Sequence, residues 1–278
     1  MCIRDSLDAS QLTPVAEFAS DFQEIVRRLK RAGSVPILGT IPNVTDIAYV
    51  LDRQDLIRFL GSDYGLPAGS YTTVPTMMLV KLGLENSSVF QDPNYLLDPN
   101  EITAIRNRIS AFNQIIRDTA VAENLPLAEI NAMFAALTAA RPTIFGVQLT
   151  SRYLGGLFSL DGVHPSNFGH ALLATAFISA INAKYGPVVP QLTAAEASFL
   201  FMTDPFIDKD SDGRVAGRAG AGFIETIGPL LGISGDSNDS APSVFADSRR
   251  SAETAGALID AKPAIVESLR KAFGSRPH

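Results

Sequence analysis

The chain has no tryptophan, one cysteine and three histidines in 278 residues. A single thiol, Cys2, excludes an internal disulfide and a cysteine-rich metal site. It also leaves the compartment unreadable from cysteine usage. Charged residues are sparse at 19%, and the balance is acidic, with a net charge of -6 and a pI near 5.1. That balance gives no electrostatic footprint for nucleic acid. The densest basic run, Arg27-Arg28-Leu29-Lys30-Arg31, falls where a helix ends, and cations are favoured there by the helix dipole. No apolar run is long enough to span a bilayer, and the opening Met1-Cys2-Ile3-Arg4-Asp5-Ser6 lacks the apolar core of a signal peptide.

What is present is a 46% hydrophobic chain, enough to bury a sizeable core. Thr13 as N-cap and Pro14 at the first helical position open a helix. Its apolar face is Val15, Phe18, Phe22, Ile25, Val26 and Leu29, and Gly33 suits the position past its end. The run Val35 to Pro42 reads as a buried strand, and a helix followed by a buried strand suggests a parallel α/β sheet. Shorter helical pieces fall at 52–60 and 76–84. Asp98-Pro99-Asn100-Glu101 is a capping-box pattern ahead of a long helix with the stripe Ile102, Ile105, Ile109, Phe112 and Ile116. Residues 125–130 and 143–149 are further candidate strands. Ser166 can cap a helix running to about Tyr185, ended by Gly186. Helical patterns follow at 192–202, 223–231 and 251–273, with a Ser/Asp/Gly-rich linker at 234–248.

The chemistry concentrates in Ser159-Leu160-Asp161-Gly162-Val163-His164-Pro165-Ser166. An Asp three residues before a His, on a glycine-containing turn, can hydrogen-bond the ring. It then fixes the tautomer and supports the imidazolium, as the acid of a Ser-His-Asp triad does. The competing reading is a His packed at a helix start, with Asp161 as a local cap. His170, within an apolar helix, reads as a packed or capping residue, and His278 ends the chain.

The run from Gly155 to Ala174 resembles the last block of the SGNH (GDSL-type) serine hydrolases, where Asp-x-x-His-Pro supplies the triad acid and base. Leu38-Gly39-Thr40-Ile41-Pro42-Asn43-Val44-Thr45, the helix with Phe112-Asn113, and Leu127-Ala128-Glu129-Ile130-Asn131 are similar to other parts of that family's layout. The resemblance covers residues 7 to about 190. It implies a flavodoxin-like three-layer α/β/α fold with a parallel sheet, of which the chain would carry the C-terminal part. It implies ester hydrolysis through an acyl-enzyme, with His164 as general base and Asp161 orienting it. A small-molecule, lipid or carbohydrate ester would be the substrate, no cofactor would be required, and the location would be secreted or periplasmic. The family's nucleophile stands in a Gly-Asp-Ser-Leu block upstream of the strand matched by residues 37–42. Arg4-Asp5-Ser6-Leu7 lacks the glycine and the preceding apolar strand, so Ser6 is not expected to be the nucleophile. The expectation is therefore a fragment: Met1 to Ser6 a non-native start, 7–190 the C-terminal part of the hydrolase domain, and 191–278 an appended, mainly helical tail. As given it would hold acid and base without their serine, and be inactive. An open sheet edge with exposed apolar residues would accompany the missing strands.

Asp208-Lys209-Asp210-Ser211-Asp212-Gly213 has the opening of a calcium loop, with acids at positions 1, 3 and 5. Position 12 is Ala219 instead of a bidentate Glu. The simpler reading is a solvated acidic turn with Gly213 at positive φ; a weak calcium site completed by Asp204 or backbone carbonyls is the other. On the latter rests a second functional reading, a non-catalytic binding protein with a calcium-stabilised loop.

Overall fold

The computed structural model describes residues 12–211, apart from 82 and 84, together with 215–217. Met1 to Ser6, Asp212, Gly213, the helices read at 223–231 and 251–273, and the linker at 234–248 lie outside the described residues. The chain is a mixed α/β protein. It divides into two compact units, Met1–Ala135 with Leu173–Gln191, and Ala136–Leu172 with Leu192–His278.

In the first unit, α1 (Val15–Arg31) leads into β1 (Leu38–Gly39), as the sequence reading expects. Pro14 occupies the N-cap position with extended backbone and no side-chain cap, so the helix starts one residue later than the Thr13 reading puts it. β1 pairs in parallel with β4 (Leu127–Ala128), with Leu38 opposite Leu127. The stretch read as a strand from Val35 to Pro42 is thus strand only at its centre. Packed on this pair is α4 (Pro99–Ala122), whose start carries the expected capping box between Asp98 and Glu101. Val26, Leu38, Ile116, Ala120 and Leu125 form one buried cluster, with Phe18, Phe22 and Leu127 packed around it. A second cluster, Val50, Leu97 and Ile102, lies by the antiparallel pair β2 (Val50–Leu51) and β3 (Thr72–Thr73). α2 (Arg53–Leu60) opens on a capping box of Asp52 and Asp55, and α3 is Val74–Lys81. Ahead of β1, Val35 and Ile37 stay 60% and 41% exposed.

The turn after β1 is held by a buried side chain rather than by a strand partner. Asn113, on α4, accepts from the Ile41 N–H at 2.7 Å and donates to the Ile41 carbonyl at 2.9 Å. Asn131 donates to the same carbonyl at 2.9 Å. The Thr40 hydroxyl accepts from the Asn131 N–H and donates to Glu129, which Arg117 grips with two bonds of 2.9 Å. Backbone polar groups left by a strand that ends need such partners. α5 (Ile130–Ala140) begins in this unit, and α6 (Asn167–Tyr185) ends in it.

In the second unit, residues 143–149 form a hairpin and not the single strand read from the sequence. β5 (Thr143–Ile144) pairs antiparallel with β6 (Val147–Gln148). Phe145 and Gly146 between them have φ of 50° and 83°, the two-residue turn whose twist suits a hairpin. Phe145 is a costly residue at positive φ; its ring meets Phe201 in a tilted contact with centroids 5.2 Å apart, which offsets part of that cost. α7 (Ala194–Thr203) starts on a Thr193/Glu196 capping box. Among the described residues no helix is long and apolar enough to cross a membrane.

Asn113→Ala should lower stability by about 1–3 kcal/mol in urea unfolding, because it removes the acceptor of the part-buried Ile41 N–H. Asn131→Ala should cost less, since the Ile41 carbonyl keeps Asn113. Equal costs, or none for Asn113→Ala, would show that the clamp is not what holds this turn.

Candidate active site

Residues 158–166 form a closed loop. Phe158 and Pro165 face each other across an antiparallel bridge. The Ser159 N–H donates to the His164 carbonyl at 2.8 Å, and the Gly162 N–H to the Ser159 carbonyl at 3.0 Å. Gly162 sits at φ 71°, as its reading as a turn residue requires. The loop is filled by the Asp161 carboxylate. Its Oδ1 accepts from the Ser159 hydroxyl, the Val163 N–H and the His164 N–H, each at 2.9 Å. Its Oδ2 accepts from His164 Nδ1 at 2.5 Å.

The two residues that the sequence singled out are therefore together, and both readings of Asp161 hold at once. It is the local cap and the partner of the ring. The packed-histidine reading does not hold, because the His164 side chain is 75% exposed. A carboxylate only accepts, so the contact places a ring proton on Nδ1. Among the described residues nothing is bonded to Nε2. Burial acts to raise the Asp161 pKa, but the bonds from the His164 ring, the two N–H groups and the Ser159 hydroxyl outweigh it and hold the carboxyl down at about 2.

Beneath the loop lies Tyr153, fully buried, whose hydroxyl donates to the Leu160 carbonyl at 3.0 Å. Burial, and then the Asp161 charge, push that phenol up to about 12, so it stays a neutral donor. The loop leaves directly into α6. Ser166 caps the helix as expected, accepting from the Gly169 N–H at 3.0 Å, and its hydroxyl also donates to the Gly156 carbonyl at 2.8 Å. A Cβ on Gly169 would come within 2.4 Å of the Leu157 carbonyl, so only glycine lets α6 start this close to the loop. His170 is exposed on α6, not packed or capping as read from the sequence; its backbone N–H makes the ordinary helical bond to Ser166.

Near the acidic turn, Asp204 is buried, with Oδ2 accepting from the Phe168 N–H and Oδ1 from the Phe206 N–H. Ser211 sits at φ 61°, and Gly213, read as the positive-φ residue of this turn, lies outside the described residues. Among the described residues no group of three or more His, Cys, Asp or Glu side chains converges as a metal would need. Asp212 and Ser6 lie outside the described residues.

Ser159 and Tyr153 are residues around the pair to which sequence reasoning assigned no role, and Asp204 was considered only as a completing ligand of a calcium site. Ser159 was within its reach, two residues from Asp161; the other two become neighbours only through folding. Searches against protein-family models, curated proteins and solved structures give no match for the chain.

The sign of the Asp161 shift makes a stability prediction. A depressed folded-state pKa stabilises the fold above the ordinary carboxyl value of 3.8, and that contribution is lost as pH falls toward about 2. The melting temperature of the wild type should therefore fall toward that of Asp161→Asn across this window. A gap between the two proteins that does not narrow with acid would contradict the assigned bonds.

Proposed function

We propose that the chain carries the acid and base of a serine ester hydrolase of the SGNH type, within the three-layer α/β/α arrangement which that family implies. The observation that supports it is the bond from His164 Nδ1 to Asp161, on a ring that is 75% exposed. This is the arrangement that a Ser-His-Asp triad uses to accept a hydroxyl proton. The resemblance of residues 155–174 to the family's final block supports it from the sequence side.

In the reaction, Nε2 takes the proton of an attacking hydroxyl and the oxygen adds to the ester carbonyl. The tetrahedral oxyanion collapses, the alcohol leaves, and the imidazolium returns the proton to it. Asp161 stays ionised throughout, holding the ring's orientation and its positive charge. The serine that would supply the hydroxyl is not among the described residues bonded to His164. The reading keeps it absent from this chain's site, with esters of lipids, sugars or small acids as the substrate class.

The test supplies the hydroxyl from solution. The full chain should release p-nitrophenolate from p-nitrophenyl butyrate no faster than His164→Ala. Trifluoroethanol should then raise the wild-type rate in a manner that both His164→Ala and Asp161→Asn abolish. An alcohol dependence common to all three proteins would overturn the reading. Labelling of a serine by a fluorophosphonate, if it needs His164, would instead show that the nucleophile is in the chain.

A further inference from the structure

Asp204 is the most deeply buried acid near the loop, and its place is unusual. It is the C-cap residue of α7, with φ -72° and ψ 119°, yet its carboxylate serves the other end of a different helix. Oδ2 accepts from the Phe168 N–H at 2.8 Å, in the first turn of α6. Oδ1 accepts from the Phe206 N–H at 2.9 Å, which ties the acid to its own turn. The Lys209 ammonium donates to the Asp204 backbone carbonyl at 2.6 Å, and its charge favours the ionised carboxyl. Phe168 stands edge-on to Phe201 at 5.4 Å, and both rings are buried. A carboxylate with no exposed surface is costly, and an apolar side chain would fill the space more cheaply. Its two accepted N–H bonds are a role that an apolar residue cannot take.

The connection to the catalytic pair is short and stiff. From Phe168 the chain runs back through Asn167, Ser166 and Pro165 to His164. Pro165 has a fixed φ, and it pairs with Phe158. Ser166 is held at both backbone and side chain: its N–H donates to the Leu157 carbonyl at 3.0 Å, its hydroxyl to Gly156. The first turn of α6 thus sets where the His164 backbone lies, and the first-turn N–H groups of Phe168 and Gly169 are taken by Asp204 and Ser166 respectively.

We propose that Asp204 is a positioning residue for the Asp161/His164 pair, acting through the first turn of α6. It anchors Phe168 so that the His164 ring meets Asp161 with its Nδ1 proton. The role needs an acid, because both of its oxygens must accept; an asparagine in its place would turn an NH2 toward one of the two N–H donors. The inference rests on the ester-hydrolase reading only for the use to which His164 is put, and its test reads the ring itself.

The test is the tautomer of His164 by long-range 1H–15N NMR of the full chain. The wild type should show the proton predominantly on Nδ1. Asp204→Asn, which keeps the size of the side chain, should retain the wild-type far-ultraviolet circular dichroism and lose that preference, the proton moving to Nε2. Asp204→Glu, which restores two acceptors, should recover part of it. An unchanged Nδ1 tautomer in Asp204→Asn overturns the proposal. So does failure of both variants to fold, since Asp204 would then serve the unit as a whole. Absence of His164-dependent alcoholysis in the wild type would count against the ester-hydrolase reading and leave the tautomer result to decide for Asp204 separately.

Discussion

Four hydrogen bonds end on the Asp161 carboxylate, and the loop from Phe158 to Ser166 has its shape because of them. All four donors lie within three residues of the acid, so ordering them costs little chain entropy. Removing the carboxylate would free the Val163 and His164 N–H groups, the Ser159 hydroxyl and the ring together. The same bonds that favour the ionised acid aim it at the ring, so loop stability and histidine orientation have one cause. An ionised acid at this position also raises the cost of ionising Tyr153 beneath it, which keeps that phenol a donor to the loop backbone.

The loop is local, but what it rests on is not. Its exit is the start of α6, where Ser166, Gly169 and the distant Asp204 meet in one turn. Ser166 bonds back to Gly156, the Gly169 backbone crowds the Leu157 carbonyl, and the Phe168 ring packs on Phe201. A packed base of this kind lets an imidazole remain exposed without wandering. Exposure keeps Nε2 open to an approaching group, and the buried turn below supplies the precision.

How much of this was legible in the sequence follows from the range of each interaction. Asp161 and His164 were, because an i to i+3 contact on a glycine turn is written in consecutive residues. So were the Asp98/Glu101 box and the Ser166 cap, which are local for the same reason. The parallel pairing of β1 with β4 was legible only as two buried runs; their register joins residues far apart in the chain. The hairpin at 143–148 was missed because Phe145 is a poor signal for positive φ, and its ring contact with Phe201 exists only in the folded unit. Asp204 was considered only as a residue that could complete a calcium site with the acidic turn that follows it. Its actual partner, the Phe168 N–H, is a backbone group that no sequence pattern marks. Asn113 belongs to the same class: a polar residue on a long helix whose partner is the backbone of Ile41.

The depressed ionisation of Asp161 links the loop's bonds to the chemistry proposed for His164, and it can be observed at the atom concerned. Carbon-13 NMR of the Asp161 carboxyl, followed through an acid titration, measures it most directly. The bonds described here require a midpoint near 2, moving up toward the ordinary value when His164 and Ser159 are both replaced by alanine. A wild-type midpoint at 3.8 or above would mean that the carboxylate does not hold the loop and the ring together, and would contradict the account.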